Sequence, residues 1–195
     1  MSTKRPLAPK GGNDRVYTPD ALARQIVRHF KPCGAMLEPC RGRGAFYNAL
    51  LEAKFQDGGS VEFAEIDGGI DFLTIGSYRF DWVVTNPPWS QFRAFLGKSM
   101  EVADNVVFLS LVNAFFMRAR VEDMRKAGFR FVEILMLPTP PKPWPQTGFQ
   151  LGATHIKRGY SGSCKVTYPK QCVHDTDGDG DCHLCVKSGK CLNDL

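Results

Sequence analysis

The stretch LEPCRGRGAF, residues 37–46, joins a short apolar run to a helical pattern through a turn that holds two glycines. The apolar run predicts a strand that ends in the carboxylate of Glu38, and AFYNALLEA, residues 45–53, predicts a helix. Gly42 and Gly44 stand between them, where glycine lets the backbone approach a bound group and the helix N-terminus points N–H groups at it. This layout is typical of a nucleotide-binding turn, and an ordinary glycine turn is the alternative. A carboxylate at Glu38 suits a ligand with a cationic amine better than a pyrophosphate.

Predicted strands and helices alternate along the rest of the chain. Further strands are predicted for four apolar runs, VEFAEID (61–67), FDWVVT (80–85), NVVFLSLV (105–112) and FVEILML (131–137). Helices are predicted from an N-cap at Thr18, from the apolar spacing over 92–103, and over 121–128. The alternation predicts an α/β sheet wound in three layers. Residues 138–148 are rich in proline and predict a loop, and residues 149–160 predict a last strand leading into an edge hairpin.

The charge of the chain is spread unevenly. The 195 residues carry a net +5, but residues 171–195 hold five Asp and two Lys (net −3), so the preceding 170 residues carry +8. A basic body of this kind suits a polyanionic partner. We expect a flexible basic arm over 1–14, one domain over 15–168 and a Cys/Asp-rich tail over 169–195. Because the sequence shows neither an export signal nor an apolar run of about 20 residues, we expect a cytoplasmic or nucleoid-associated protein that is neither secreted nor membrane-bound.

Acidic residues follow the second predicted strand. Glu65 stands 21 residues after Gly44, where an acid can accept both hydroxyls of a ribose, and Asp67 is its rival. Asp71 could accept a hydrogen bond from the amino group of adenine while Phe72 packs on the ring. The alternatives are a solvated acid at Glu65 and a plain core residue at Phe72.

The third predicted strand runs into TNPPWS, residues 85–90. The amide oxygen of Asn86 and the carbonyl oxygen of Pro87 are two acceptors, the second held in place because Pro88 limits the backbone. Two acceptors could take both hydrogens of one planar exocyclic amine, while Trp89 offers a face for its ring. Such an amine is a poor nucleophile, and fixed acceptors stabilise the charge that it develops in attack. A strand that ends in a proline turn is the alternative.

Together these segments resemble a known family. NPPW resembles the (D/N/S)PP(Y/F/W) motif of amino-group DNA methyltransferases, which use S-adenosylmethionine. YTP at 17–19 resembles motif X of that family, LEPCRGRG motif I, EID at 65–67 motif II, and DF at 71–72 motif III. Their order, with motif X at the N-terminus, resembles the γ-like arrangement, and the resemblance covers about residues 15–160.

The resemblance implies a three-layer, Rossmann-like class I methyltransferase sheet with S-adenosylmethionine as cofactor. It implies that the cofactor is held by Tyr17, Thr18, Pro19, Glu38, Cys40, Gly42, Gly44, Glu65, Asp71 and Phe72. It assigns the reaction, transfer of a methyl group to the N6 amine of adenine in DNA, to Asn86, Pro87, Pro88 and Trp89. A second aromatic, Phe149 or Trp144, would lie on the other face of a base that is flipped out of the duplex.

The substrate stays open within this chemistry. N4 of cytosine, an adenine of RNA and a glutamine amide present similar amines, and a catalytically inactive nucleic-acid-binding module is the alternative from another class. Sequence-specific members of the family usually carry a target-recognition region of a hundred residues or more, and this chain has no such insertion. Either specificity is low, or the tail, a second subunit or a partner protein supplies it.

The tail clusters four cysteines, Cys172, Cys182, Cys185 and Cys191. Four thiolates are the ligand set of a structural zinc site, and His174 or His183 could replace one of them. The rival metal is calcium, because four aspartates alternate with small residues much like a calcium-binding loop, namely Asp175, Asp177, Asp179 and Asp181. A tail without fixed structure is the third interpretation.

Overall fold

A computed structural model of the chain describes residues 16–76 and 78–169. The arm expected over 1–14 lies outside these residues, and so does all but Pro169 of the expected tail. Cys172, Cys182, Cys185 and Cys191 are therefore outside the described residues, and the tail metal stays a prediction. In the part that is described, none of the helices is both long and apolar enough to cross a membrane.

The described residues form four α-helices and seven strands, joined by short 3₁₀ turns. The helices are α1 (Asp20–Phe30), α2 (Ala45–Asp57), α3 (Phe92–Val102) and α4 (Arg118–Lys126). The strands are β1 (Ala35–Glu38), β2 (Ser60–Phe63), β3 (Phe80–Thr85), β4 (Ala103–Leu111), β5 (Phe129–Leu137), β6 (Leu151–Arg158) and β7 (Lys165–Thr167). All seven strands join one sheet in the order β2-β1-β3-β4-β6-β5-β7.

The sheet is mixed. Strand β1 pairs in parallel with β2 and with β3, β3 pairs in parallel with β4, and β6 lies antiparallel between β4 and β5. The prediction of an edge hairpin after residue 149 is therefore wrong, since β6 lies inside the sheet and β7 pairs in parallel with β5 at the edge. The first six residues of β6, Leu151 to Ile156, are all buried, as a strand with neighbours on both sides requires.

Helices cover both faces of the sheet, which confirms the predicted three layers. Along β4, Val107 and Leu109 belong to the apolar cluster that includes α1 and α2. Val106 and Phe108 belong to the cluster on the opposite face, which includes α3 and α4. The alternation follows from the period of two residues along a strand, so both faces of β4 are apolar.

The carboxyl ends of the parallel strands meet at one edge of the sheet. Strands β1, β2 and β3 end at Glu38, Phe63 and Thr85, so the loops that follow them lie side by side. In open α/β sheets, ligands bind outside this edge. The topology therefore brings together the glycine turn, the acids after β2 and the NPPW segment.

Candidate active site

Glu38 ends β1 with its side chain buried, at 1% exposure. Its Oε1 accepts a short hydrogen bond from the Thr85 hydroxyl and another, of 2.9 Å, from the Cys40 N–H. Burial raises the pKa of Glu38 to about 8, and the nearby Glu65 carboxyl adds to the rise, against the two hydrogen bonds. At neutral pH the carboxyl therefore holds its proton until a cation comes beside it. The sequence pointed to Glu38 and missed Thr85, although a polar residue that closes a buried strand was the available signal.

Cys40 contributes its backbone rather than its thiol. Burial, and next the neighbouring Glu38, raise the pKa of the Cys40 thiol well above its usual range. The thiol stays protonated at neutral pH, which excludes it as a nucleophile. Its N–H donates to Glu38, so it supports the carboxyl predicted to hold the cofactor amine.

The glycine turn is tied to the segment after β2. Gly42 and Gly44 have positive φ angles of 50° and 90°, which side chains other than glycine rarely adopt. The Gly42 N–H donates to Oε2 of Glu65 at 2.5 Å, and the Arg41 N–H donates to the Ala64 carbonyl at 3.2 Å. Gly44 is the N-cap of α2, which begins at Ala45, the first residue of the predicted helix. The turn is thus held open toward the edge of the sheet by an acid that the sequence assigned to a ribose.

Glu65 lies outside the strand that was predicted to contain it. Strand β2 ends at Phe63, and Glu65 is the N-cap of a single 3₁₀ turn, Ile66–Gly68. Its Oε1 accepts from the Asp67 N–H at 3.3 Å, while Oε2 takes the Gly42 N–H. A hydroxyl donor at Glu65 would join these bonds or replace one of them. Its role toward a ribose stays a prediction.

Asp71 and Phe72 begin a second 3₁₀ turn, Phe72–Thr74. The Asp71 Oδ1 accepts from the Leu73 N–H at 2.9 Å. Phe72 is only 2% exposed, and its ring centroid lies 5.3 Å from that of Phe95 in the core. The structure therefore places Phe72 under the site, with its ring packed against α3, and contact of either residue with a cofactor adenine stays a prediction.

Asn86 connects the NPPW segment to the segment before α1. Its Nδ2 donates to the Val16 carbonyl at 3.0 Å and to the Thr18 hydroxyl oxygen at 3.3 Å. Helix α1 begins at Asp20 with Pro19 as its N-cap, so the prediction of an N-cap at Thr18 is wrong. The Thr18 hydroxyl oxygen accepts a hydrogen bond from Asn86 instead. Because a carbonyl can only accept, Nδ2 must face Val16, and the acceptor oxygen Oδ1 faces the other way.

Trp89 lies beside that acceptor oxygen. Its Nε1–H donates to Oδ1 of Asn86 at 3.3 Å, and its half-buried ring packs against the apolar cluster under α1 and α2. Pro87 is buried, and the Pro88 carbonyl accepts from the Gln91 N–H at 3.0 Å where the chain turns into α3. The structure thus holds an amide oxygen and an indole side by side at the carboxyl edge of the sheet. The Pro87 carbonyl as second acceptor stays a prediction.

The two candidates for a second aromatic differ in exposure. Trp144 is 5% exposed, and its ring centroid lies 6.4 Å from that of Trp89 at an interplanar angle of 69°. Phe149 is 57% exposed and lines a crevice of about 890 Å³ with Tyr168, which is 71% exposed. Trp144 therefore supports Trp89 from the core, whereas Phe149 has a free ring. No sequence pattern pointed to Tyr168 as an exposed aromatic residue beside Phe149.

Two substitutions separate these roles. Trp144→Ala is expected to lower the free energy of unfolding by about 3–5 kcal/mol, because it empties a large buried site. Phe149→Ala is expected to leave stability within about 0.5 kcal/mol and to weaken binding of single-stranded oligonucleotides about 5- to 150-fold, because stacking on a base contributes about 1–3 kcal/mol. Urea unfolding and fluorescence anisotropy measure the two quantities. A stable Phe149→Ala variant with unchanged oligonucleotide affinity would show that the ring takes no part in binding.

The fold matches solved methyltransferase structures. A Listeria monocytogenes protein inferred to be a class I S-adenosylmethionine-dependent methyltransferase has 10% identity and a TM-score of 0.61, over 80% of this chain and 67% of that chain. A methyltransferase subunit of a type I restriction-modification system from Streptococcus thermophilus has 14% identity and a TM-score of 0.53, over 83% of this chain and 49% of that chain. The chain has the class I S-adenosylmethionine-dependent methyltransferase fold. The predicted fold class is thereby confirmed.

A further solved structure with a similar fold is described as an RNA methyltransferase. A Pyrococcus horikoshii protein inferred to be an RNA methyltransferase has 18% identity and a TM-score of 0.54, over 71% of this chain and 81% of that chain. This chain spans about half the length of the Streptococcus thermophilus subunit. No family model and no curated protein matches the chain in sequence. The fold is thus shared by a restriction-modification methyltransferase subunit and by a protein inferred to methylate RNA.

Among residues 16–76 and 78–169, no three His, Cys, Asp or Glu side chains form a group that could hold a metal ion. The cysteines in this part, Cys33, Cys40 and Cys164, are free thiols.

Proposed function

We propose that the protein is an S-adenosylmethionine-dependent methyltransferase that acts on the N6 amine of adenine in DNA. One contact carries the proposal. The Thr85 hydroxyl bonds to Glu38, the group suited to the cofactor amine, and the next residue, Asn86, carries the acceptor suited to the substrate amine. A single dipeptide at the end of β3 therefore joins the predicted methyl-donor site to the predicted methyl-acceptor site.

The residues present fit the cofactor. Gly42 and Gly44 leave the turn without side chains, Glu65 accepts a hydrogen bond from the Gly42 N–H, and Glu38 is a buried carboxyl that can pair with a cation. When bound, S-adenosylmethionine supplies an electrophilic methyl group on its sulfonium. The protein's part is to fix that methyl opposite the amine by holding the amino-acid end at Glu38 and the ribose at Glu65.

Asn86 and Pro87 orient the substrate amine. The Oδ1 of Asn86 accepts one hydrogen of the amine and the Pro87 carbonyl accepts the other, so the nitrogen lone pair is directed at the methyl group. As the new N–C bond forms, the bond between the methyl carbon and the sulfonium sulfur would break with its electron pair left on sulfur, and the two oxygens would stabilise the positive charge that develops on the amine nitrogen. The nitrogen would then lose one proton to solvent. The Trp89 ring lies against the base, and its indole N–H keeps the amide of Asn86 in position.

A nucleic acid is the class of substrate that best suits the charge of the chain, and the resemblance of YTP at 17–19 to an N-terminal motif X favours adenine in DNA. A base within a duplex must be flipped out to reach Asn86. A net +8 outside residues 171–195 favours binding to phosphates, with an affinity that falls steeply as salt rises. The type I restriction-modification subunit with this fold supports a DNA substrate and a partner subunit or second copy that supplies sequence specificity.

The proposal is tested with labelled cofactor. The full chain is incubated with S-adenosyl-[methyl-³H]methionine and unmethylated DNA, and the nucleosides are then separated. We expect label in N6-methyladenine and none in proteins added as substrates. Label in N4-methylcytosine, or in RNA alone, would show that the amine is held as proposed but belongs to another substrate. Binding of the cofactor without transfer to any nucleic acid would contradict the proposed function.

A further inference from the structure

The two arginines of the RGRG turn are stacked on aromatic rings. The Arg41 Cζ lies 4.4 Å from the ring centroid of Phe63 and 5.0 Å from that of Tyr47. The Arg43 Cζ lies 4.2 Å from the ring centroid of Tyr17. Both arginines are exposed, and among the described residues neither forms an ion pair with a carboxylate. A guanidinium stacked in this way keeps the N–H donors of its own plane for a planar anion.

Arg43 and Tyr17 lie at the border of the proposed cofactor site. A Cβ added at Gly42 would meet the Tyr17 ring at 3.5 Å, so this ring forms a wall of the glycine turn. The residues on either side of Tyr17, Val16 and Thr18, both accept hydrogen bonds from Asn86. Tyr17 thus spans the distance between the glycine turn and the acceptor for the substrate amine, and Arg43 covers its ring.

The carboxyls of the site leave the carboxylate of the proposed cofactor without a positively charged partner unless one lies at the glycine turn. Glu38, Glu65 and Asp71 are three carboxyls that suit the positive sulfonium, the ammonium and the polar groups of the cofactor. S-adenosylmethionine also carries a carboxylate on the same carbon as its amine. With the amine at Glu38, the carboxylate on the same carbon would also lie near that acid and would need a positive partner. Arg41 is directed to the rings of α2 and β2, which leaves Arg43 as the arginine of this turn that faces Tyr17.

We propose that Arg43, held flat on Tyr17, binds the α-carboxylate of S-adenosylmethionine through its guanidinium edge. The inference rests on the proposed function and adds to it the group that recognises the amino-acid end of the cofactor. In this arrangement the Tyr17 ring packs against the guanidinium of Arg43 and also lines the glycine turn. This arrangement also explains why a turn that must accept a cofactor with net positive charge contains an arginine.

A chemical cycle tests the pairing. The ligands are S-adenosylmethionine and its decarboxylated form, which keeps the sulfonium, the amine and the nucleoside but lacks the carboxylate. The proteins are the full-length wild type, Arg43→Ala, Arg43→Lys and the matched control Arg41→Ala, each checked for folding by thermal unfolding. Dissociation constants are measured by calorimetry at one pH and salt concentration.

We expect Arg43→Ala to weaken binding of S-adenosylmethionine about 10- to 100-fold, as for loss of charged hydrogen bonds. The affinity for the decarboxylated form should be unchanged or higher, because this ligand has no carboxylate to pair with the positive charge that the variant lacks. Arg43→Lys should recover part of the loss, and Arg41→Ala should change both constants less than about threefold.

Other results overturn the inference in distinguishable ways. Equal losses for both ligands in Arg43→Ala would show that Arg43 shapes the turn rather than pairing with the carboxylate. Unchanged cofactor binding with weakened DNA binding would assign Arg43 to a phosphate. In both cases the wild type still binds the cofactor, so the proposed function stands. A wild type that binds neither ligand would overturn the proposed function and this inference together.

Discussion

Replacing Asn86 with alanine is expected to lower the rate of methyl transfer about 100- to 1000-fold, the usual cost of removing one donor or acceptor that stabilises transition-state charge. The amide oxygen lost in this variant is the one that faces away from Val16 and is proposed to receive the substrate amine. Cofactor affinity should stay within about threefold of wild type, because Glu38 and the glycine turn are untouched. Single-turnover transfer from labelled cofactor measures the rate, and calorimetry measures the affinity.

Asn86 also donates to the segment before α1, so controls must separate the two roles. Thr18→Val removes the hydroxyl that accepts from Nδ2 at 3.3 Å but keeps the acceptor Oδ1. We expect a loss of transfer below about tenfold for Thr18→Val. Asn113→Ala changes an exposed amide that follows β4 at the same edge of the sheet and should have no effect. Transfer near the wild-type rate in Asn86→Ala would rule out the proposed mechanism.

Replacing Glu38 with glutamine is expected to weaken cofactor binding about 10- to 100-fold, because a neutral amide replaces the partner of the cofactor ammonium. Wild-type Glu38 has a pKa of about 8, so at pH 7 it is protonated before the cofactor binds and must lose its proton as the pair forms. Calorimetry in buffers of different ionisation enthalpy should show release of about one proton for wild type and of none for Glu38→Gln. Equal proton release by both proteins would assign the proton to another group.

The same substitution should change how stability depends on pH. Glu38 loses its proton near pH 4.5 when the chain is unfolded but near pH 8 when it is folded. Between these values the folded state binds more protons, so the contribution of Glu38 to the free energy of unfolding is highest below about pH 4.5 and falls as pH rises to about 8. Glutamine keeps an oxygen for the Thr85 hydroxyl and the Cys40 N–H but has no proton to lose. Urea unfolding at pH 5 and pH 8 should therefore show a smaller decline for Glu38→Gln than for wild type.

A matched substitution on the neighbouring strand controls for the general effect of losing a carboxylate. Glu62 lies on β2, is exposed, and is one residue before the strand ends. Glu62→Gln should bind the cofactor like wild type and show the wild-type dependence of stability on pH. A loss of stability in Glu38→Gln that grows with pH would contradict the raised pKa of Glu38.

Local patterns were sufficient for several individual elements of this fold but not for β7, which no pattern predicted. The strand FDWVVT is observed as β3 over the predicted residues 80–85, and the helix after the glycine turn begins at Ala45 as predicted. The period of two residues in strands and the punctuation by glycine and proline act over short stretches of chain, so they can be seen without a partner. The same signals could not show that β6 lies between β4 and β5, because strand order depends on which apolar faces meet.

The contacts inside the site depended on residues far apart in the chain. Asn86 meets Val16 across 70 residues, and Thr85 meets Glu38 across 47. Each residue type was interpretable in its own segment, Thr18 as a cap and Glu65 as the end of a strand. Instead, the Thr18 hydroxyl oxygen accepts a hydrogen bond from the distant Asn86, and Glu65 caps a 3₁₀ turn through the nearby Asp67 N–H while it also bonds the Gly42 N–H. The choice between Trp144 and Phe149 likewise required knowing which ring is buried.

The sequence by itself determined the class of fold and the turn at Gly42 and Gly44, and it predicted the chemistry of NPPW, since each follows from residue types in short order along the chain. Only the tertiary structure decided that Thr85 links Glu38 to the acceptor at Asn86, that Glu65 bonds the Gly42 N–H, and that Arg43 rests on Tyr17. The physical reason is that the parallel strands β1, β2 and β3 bring their carboxyl ends to one edge, where side chains from distant segments satisfy each other's hydrogen bonds and charges.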